Sequence, residues 1–170
     1  LLVARRDGGA SDLQSLVGKR VMVGSLTDEL TQADEILAFL KKEGIPVSSV
    51  VRVDHSFNPA DLVNGKVDAF SAYVTNEPYY LDRAGFPYDT YSPRAAGIDF
   101  YGDNLFTSER EIARHPERAK AFRAASLKGW AYAMSHQEEI ADLILAKYTR
   151  RNDRNHLLFE ARQMVPLVQP

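Results

Sequence analysis

Through the first half of the chain, short apolar runs alternate with longer stretches whose apolar residues recur at helical spacing. Leu1–Arg5 (LLVAR), Arg20–Gly24 (RVMVG), Ser49–Asp54 (SVVRVD) and Val67–Ala72 (VDAFSA) read as strands, because runs of this length bounded by turn residues suit strands covered on both faces. A short helix is expected at Asp12–Leu16, with Ser11 as its N-cap. A longer one leads from Ser25–Asp28 through Lys42, with Leu30, Ala33, Ile36, Leu37 and Leu40 on one face and Gly44 as its stop. Another short helix opens at Asn58-Pro59 and closes at Asn64-Gly65. The order strand, helix, strand, helix, strand predicts an α/β fold around a parallel sheet.

The pattern then changes. A short helix follows Asn76 (EPYYLDRAG), then an extended passage over Phe86–Pro93, then a crossing strand and loop over Ala95–Glu109. Beyond it, helical spacing dominates. Pro116–Tyr148 reads as one long helix or two, with Phe122, Ala125, Leu127, Trp130, Ala133 and Met134 on the apolar side, and Asn155–Val168 as a further amphipathic helix. The best candidate boundary lies near Ala95. LLVAR opens the chain on an apolar run with no polar lead-in and no signal peptide, so further sequence is expected upstream.

Composition narrows the function classes. The chain has 170 residues, 45% of them hydrophobic and 26% charged, which fits a globular protein of one domain or two small lobes. Net charge is −2 with both signs scattered, so there is no basic face for nucleic acid. With no cysteine, disulfides, thiolate metal sites and thiol nucleophiles are excluded. No apolar run reaches the ~20 residues that cross a bilayer.

The richest segment is Asn64–Pro78 (NGKVDAFSAYVTNEP). It places Tyr73, Asn76 and Glu77 at the carboxyl end of a strand, where open α/β sheets hold small ligands. An aromatic face stacks on a flat ring, while an amide and a carboxylate read its polar edge. The competing reading makes Thr75 or Asn76 a helix cap, with Glu77 favouring the helix's positive end. Ser25 and Thr27, in GSLTDE, occupy a second strand-to-helix junction with free backbone N–H groups, although a simple N-cap explains that segment too. His55, His115, His136 and His156 show no metal-ligand spacing and read as capping or surface residues. Asp99 and Asp103 around Tyr101-Gly102 read as turn formers. Nothing pairs a nucleophile with a base, and no cofactor is implied.

Three segments together resemble the NMT1/THI5-like solute-binding proteins, a branch of the type II periplasmic binding-protein fold. They are LLVARRDGGASDLQSLVGKRVMVG, LVNGKVDAFSAYVTNEPYYLDRAG and GIDFYGDNLFTSEREIARHPERAKAFRAASLKGWAYAMSHQEEIADLIL. The last is most similar to versions fused to bacterial sensor histidine kinases or diguanylate cyclases. The resemblance implies two lobes. Residues 1–5 would be an inter-lobe crossing strand, 6–94 a complete α/β lobe, and 95–170 the mostly helical, incomplete return to the other.

The resemblance also implies site roles and a function. Tyr73 and Glu77 would stand where family members hold an aminopyrimidine between aromatic rings, with a carboxylate bonding its polar edge, the other stacking aromatic belonging to sequence upstream. Asn76, Ser25 and Thr27 would add polar contacts, and Tyr101-Gly102 the hinge-side wall. The expected function is extracytoplasmic binding of a small molecule, of the pyrimidine or thiamine-precursor kind or a related solute, by hinge closure. The expected partners are a membrane-anchored signalling domain or an ABC-transporter permease, with no nucleic acid. The expected location is periplasmic, tethered to the inner membrane. A pyrimidine-processing enzyme is the alternative of another class. It is disfavoured without cysteines, and Glu77 or His55 are its only candidate bases.

Overall fold

Alternate residues of the central strands face two different helical layers, and this places everything else in the first half of the molecule. The computed structural model describes residues 1–7, 12–24, 33–149 and 151–168. It divides into two compact units, Leu1–Phe100 and Tyr101–Pro170.

The first unit holds a five-stranded sheet ordered β3-β2-β4-β1-β5, with β1 Leu2–Arg5, β2 Arg20–Met22, β3 Val51–Val53, β4 Ala69–Ser71 and β5 Tyr88–Tyr91. β2 pairs in parallel with both β3 and β4. β1 lies between β4 and β5 and runs antiparallel to both. The alternation predicted a parallel sheet, and four strands do share one direction. β1 departs from it because it enters from the opposite end and fills the slot between β4 and β5.

Side-chain period two explains the double core. Leu2, Ala4, Val21, Val23 and Ala69 pack with Ile36, Phe39 and Leu40 of α1 Ala33–Lys42. Val3, Met22 and Phe70 pack on the other face with Leu62 of α2 Ala60–Val63 and Leu81 of α3 Glu77–Arg83. Continuous apolar strands are therefore required here, since both faces are covered. The short helix near Asp12 is a 3-10 turn over Leu13–Leu16. Asp12 caps it by accepting from the Ser15 N–H at 2.9 Å, and Ser11 lies outside the described residues.

Tight turns set the strand spacing. After α2 the chain reverses at Gly65, whose φ of +70° is left-handed. A side chain there would meet the Arg5 guanidinium, since a Cβ would sit 3.1 Å from Arg5 Nη1. That guanidinium donates to the Leu62 carbonyl at 2.6 Å. On the other side, Arg20 donates to Asp68 at 3.1 Å from both Nε and Nη2.

No strand forms between β5 and the second unit. After turns at Pro93–Gly97 the chain runs irregularly to Ser108, where a crossing strand was expected. Turn-forming Asp99, Gly102, Asp103 and Asn104 account for this, with the Asn104 amide closing on the Gly102 carbonyl at 2.7 Å.

The second unit contains α4 Glu109–Arg114, α5 Pro116–Ser135, α6 Gln137–Lys147 and α7 Arg154–Val168. Ser108 caps α4 by accepting the Glu111 N–H at 3.1 Å. The long helical stretch is two helices, broken at His136, whose ring stacks on Tyr132 at 3.9 Å. Ala141, Leu157 and Leu158 form the core where α6 meets α7. α5 differs from expectation: none of its residues is buried, and Phe122, Leu127 and Trp130 are exposed. His156, expected at the surface, is buried in α7.

Candidate functional site

β2, β3 and β4 end at the same edge of the sheet because they run in parallel. That edge carries Gly24, the loop after Val53 and the turn after Ser71. Ser25 and Thr27 follow Gly24 in the sequence and lie outside the described residues.

The turn after β4 is closed by its own carboxylate. Glu77 begins α3, yet its side chain reaches back to accept the Tyr73 N–H on Oε2 at 2.8 Å. Its Oε1 accepts the Asn76 amide at 3.1 Å. Glu77 is 5% exposed, so the turn is built around it. The sequence left open whether Thr75 or Asn76 caps this helix. Asn76 stands at the cap position but makes no side-chain cap bond, and its amide N–H donates to Glu77. Tyr73, in contrast, is 53% exposed at the carboxyl edge. Tyr73, Asn76 and Glu77 are thus brought together, with the ring outward and the carboxylate inward.

The loop after β3 is a second ordered feature of that edge. His55 Nε2 lies 2.7 Å from the Ser71 carbonyl, and Nδ1 accepts the Phe57 N–H at 2.9 Å. A carbonyl only accepts and an amide N–H only donates, so the imidazole is the neutral tautomer with hydrogen on Nε2. Both nitrogens are therefore taken by backbone groups, which leaves no lone pair for the base role considered above. The Ser56 hydroxyl donates to Asp61 at 2.7 Å, and Lys66 pairs with the same carboxyl group at 2.8 Å. The Lys66 pairing, with the Ser56 bond, holds the Asp61 carboxyl below its ordinary value. The Ser71 hydroxyl, at the end of β4, is buried with no hydrogen-bond partner among the described residues.

Sequence reasoning missed the way His55, Ser56, Phe57 and Ser71 combine. Asn58-Pro59 marked a helix start, but no local signal announced that His55 would reach across β2 to β4. Further concavities lie elsewhere. A shallow groove of about 680 Å³ follows edge strand β5, lined by Arg6, Asp82, Phe86 and Tyr88 among others. There Arg6 pairs with Asp89 at 2.8 Å. The Tyr88 phenol, donating to Asp82 at 2.7 Å, is pushed up to about 12 by burial and by that carboxylate. In the second unit, a groove of about 420 Å³ between α5, α6 and α7 is lined by Trp130, Met134, Ile144, Leu157 and Met164 among others. Tyr101 and Gly102 open that unit, and Tyr101 is 95% exposed. No metal-holding cluster occurs among the described residues.

The family model described as NMT1/THI5 like matches residues 1–140. The fold is similar to that of the periplasmic aliphatic sulphonate binding protein SsuA from Escherichia coli, with a TM-score of 0.71 and 13% identity over 100% of this chain. It is also similar to a putative sulfonate ABC transporter, periplasmic sulfonate-binding protein SsuA from Methylobacillus flagellatus KT. There the TM-score is 0.59 and the identity 20% over 91% of this chain. The chain spans about half the length of these structures, 55% and 46% respectively. No curated protein sequence matches it. At such identities the likeness is one of fold, and the α/β fold class expected from the sequence is the one found.

Proposed function

The chain belongs to the NMT1/THI5-like family, and from that premise we propose that it is part of an extracytoplasmic solute-binding protein that takes a small flat molecule at the carboxyl edge of its sheet. The observation that carries this reading is the Tyr73 ring, half exposed on a turn whose buried Glu77 fixes its backbone. An aromatic held on a rigid turn stacks without first paying to be ordered. Asn76 stands in the same turn, its amide bonded to Glu77. Ser25 and Thr27, and Tyr101 and Gly102, are proposed contacts on the strength of the family resemblance.

Charge points to the kind of solute. The described edge segments 54–58 and 72–77 contain Asp54 and Glu77 and no lysine or arginine. A sulfonate head would find no counter-charge there, although the two similar structures are described as sulfonate binders. A neutral or cationic flat ring, such as an aminopyrimidine, suits an edge that offers an aromatic face and no cationic side chain in these segments.

Binding would favour a closed form by its differential affinity for that form, the usual way a solute signal is passed on. Delivery to an ABC permease is supported by the description of one similar structure. Coupling to a signalling domain is supported by the sequence resemblance of the C-terminal half. No helix among the described residues is long and apolar enough to cross a membrane.

The test is a thermal-shift and calorimetric titration of the full-length protein with 4-amino-5-hydroxymethyl-2-methylpyrimidine and with butanesulfonate. The pyrimidine is expected to bind, and Tyr73→Ala to weaken it about tenfold. Tight sulfonate binding unaffected by Tyr73→Ala would sink the reading.

A further inference from the structure

We propose that Phe57 is a solute-contacting residue, a second aromatic wall beside Tyr73, and that His55 is the residue that positions it. The inference rests on the solute-binding reading and extends the site from the β4 turn to the β3 loop.

Two properties of Phe57 go unexplained by folding. Phe57 is 67% exposed, so its burial contributes little. Its backbone is left-handed, with φ of +57°, while every other described residue of clearly positive φ is a glycine. A bulky side chain in that region is strained. Glycine would satisfy the turn without strain. An exposed ring is therefore kept where the backbone favours having none.

The surroundings hold that conformation from several sides. His55 Nδ1 accepts the Phe57 N–H at 2.9 Å, and the two rings lie 4.5 Å apart. The Ser56 hydroxyl accepts the Asn58 N–H at 3.2 Å while bonded to Asp61. Asn58 in turn accepts the Ala60 N–H at 3.1 Å. Strain enforced by such a network is the pattern of a ligand clamp rather than of a passive loop.

His55 also fixes where the ring stands. Its Nε2 donates to the Ser71 carbonyl at 2.7 Å, tying the β3 loop to the strand that ends two residues before Tyr73. Phe57 and Tyr73 are thus anchored at one edge, on strands flanking β2. Two strand spacings, roughly 10 Å, separate the flanking strands. The buried Ser71 hydroxyl, without a partner among the described residues, lies at the same strand end.

Glycine substitution separates the ring's function from its structural cost. In the full-length protein, Phe57→Gly is expected to keep or raise the melting temperature and to weaken binding of 4-amino-5-hydroxymethyl-2-methylpyrimidine about tenfold. His55→Ala should weaken it as well, yet cause no further loss when added to Phe57→Gly, because His55 acts through that ring. A melting temperature several degrees lower for Phe57→Gly would show that the ring is structural and overturn the proposal. Unchanged affinity in Phe57→Gly, with Tyr73→Ala still weakening binding, would overturn this inference and leave the solute-binding reading standing. Absence of binding by the unmodified protein, for the pyrimidine and butanesulfonate alike, would remove both.

Discussion

Glu77 accepts the backbone N–H of Tyr73 at 2.8 Å, so the residue that begins α3 also fixes the turn before it. One side chain both closes a backbone turn and sets the angle of an exposed ring. Glu77→Ala would leave the Tyr73 N–H and the Asn76 amide without their acceptor in a buried place. A cost of about 1.5–3 kcal/mol is expected, read as a lower urea midpoint at unchanged slope. Glu77→Gln, which keeps one acceptor oxygen, should lose less. Equal losses for the two variants would mean that packing rather than the acceptor matters.

Alkaline stability should depend on Tyr88. Its phenol is raised from 10.0 to about 12, first by burial and then by Asp82. The folded form therefore holds this proton more tightly than the unfolded form does. That contribution is complete below pH 10 and is lost as pH rises towards 12. Tyr88→Phe should flatten this part of the stability profile, followed by denaturant midpoints across the same range. A profile identical to that of the unmodified protein would refute the assignment.

The acid side should report Asp61. Its carboxyl is held below its ordinary 3.8, first by Lys66 and then by the Ser56 hydroxyl. A depressed value contributes stability above 3.8 that disappears as pH falls through the folded value. Asp61→Asn should therefore be less stable than the unmodified protein at neutral pH, and the gap should narrow in acid. A gap that is constant with pH would point to geometry alone.

Gly65→Ala should be destabilising by about 1–2 kcal/mol, from a left-handed φ that alanine resists. The Arg5 guanidinium, 3.1 Å from the new Cβ, is fixed by its bond to the Leu62 carbonyl and gives way poorly. Combining Gly65→Ala with Arg5→Ala should then cost less than the two single changes added together, a double-mutant result available from equilibrium unfolding.

The strands were legible because burial on both faces leaves continuous apolar runs, as LLVA and AFS show. Strand direction was less so, since the antiparallel placement of β1 depends on partners far along the chain. The crossing strand assigned near Ala95 failed because Ile98 and Phe100 imitate a strand, while Asp99, Gly102 and Asn104 prefer turns. In α5 the apolar residues had the right spacing, yet Phe122 and Trp130 are exposed, and spacing carries no information about whether a partner surface exists. At the candidate site, Tyr73, Asn76 and Glu77 were found by their place after a strand. That the Glu77 carboxylate turns inward was not legible, because spacing does not fix a side chain's direction at a helix start. The left-handed Phe57 was invisible for the same kind of reason: Asp-His-Ser-Phe-Asn-Pro contains no glycine to announce it.

The position of β1 has a consequence for how the molecule comes into being on the ribosome. Arg6 meets Asp89 across 83 positions, and Leu1 meets Ala72 across 71. A strand made early must wait for both neighbours, on the order of ten seconds at ordinary rates of synthesis. Meanwhile β2, α1, β3 and β4 are able to assemble among themselves. Until Tyr91 emerges, the apolar ribbon LLVA has open hydrogen-bonding edges. That interval is when a passing chaperone, or a second nascent copy, would find it.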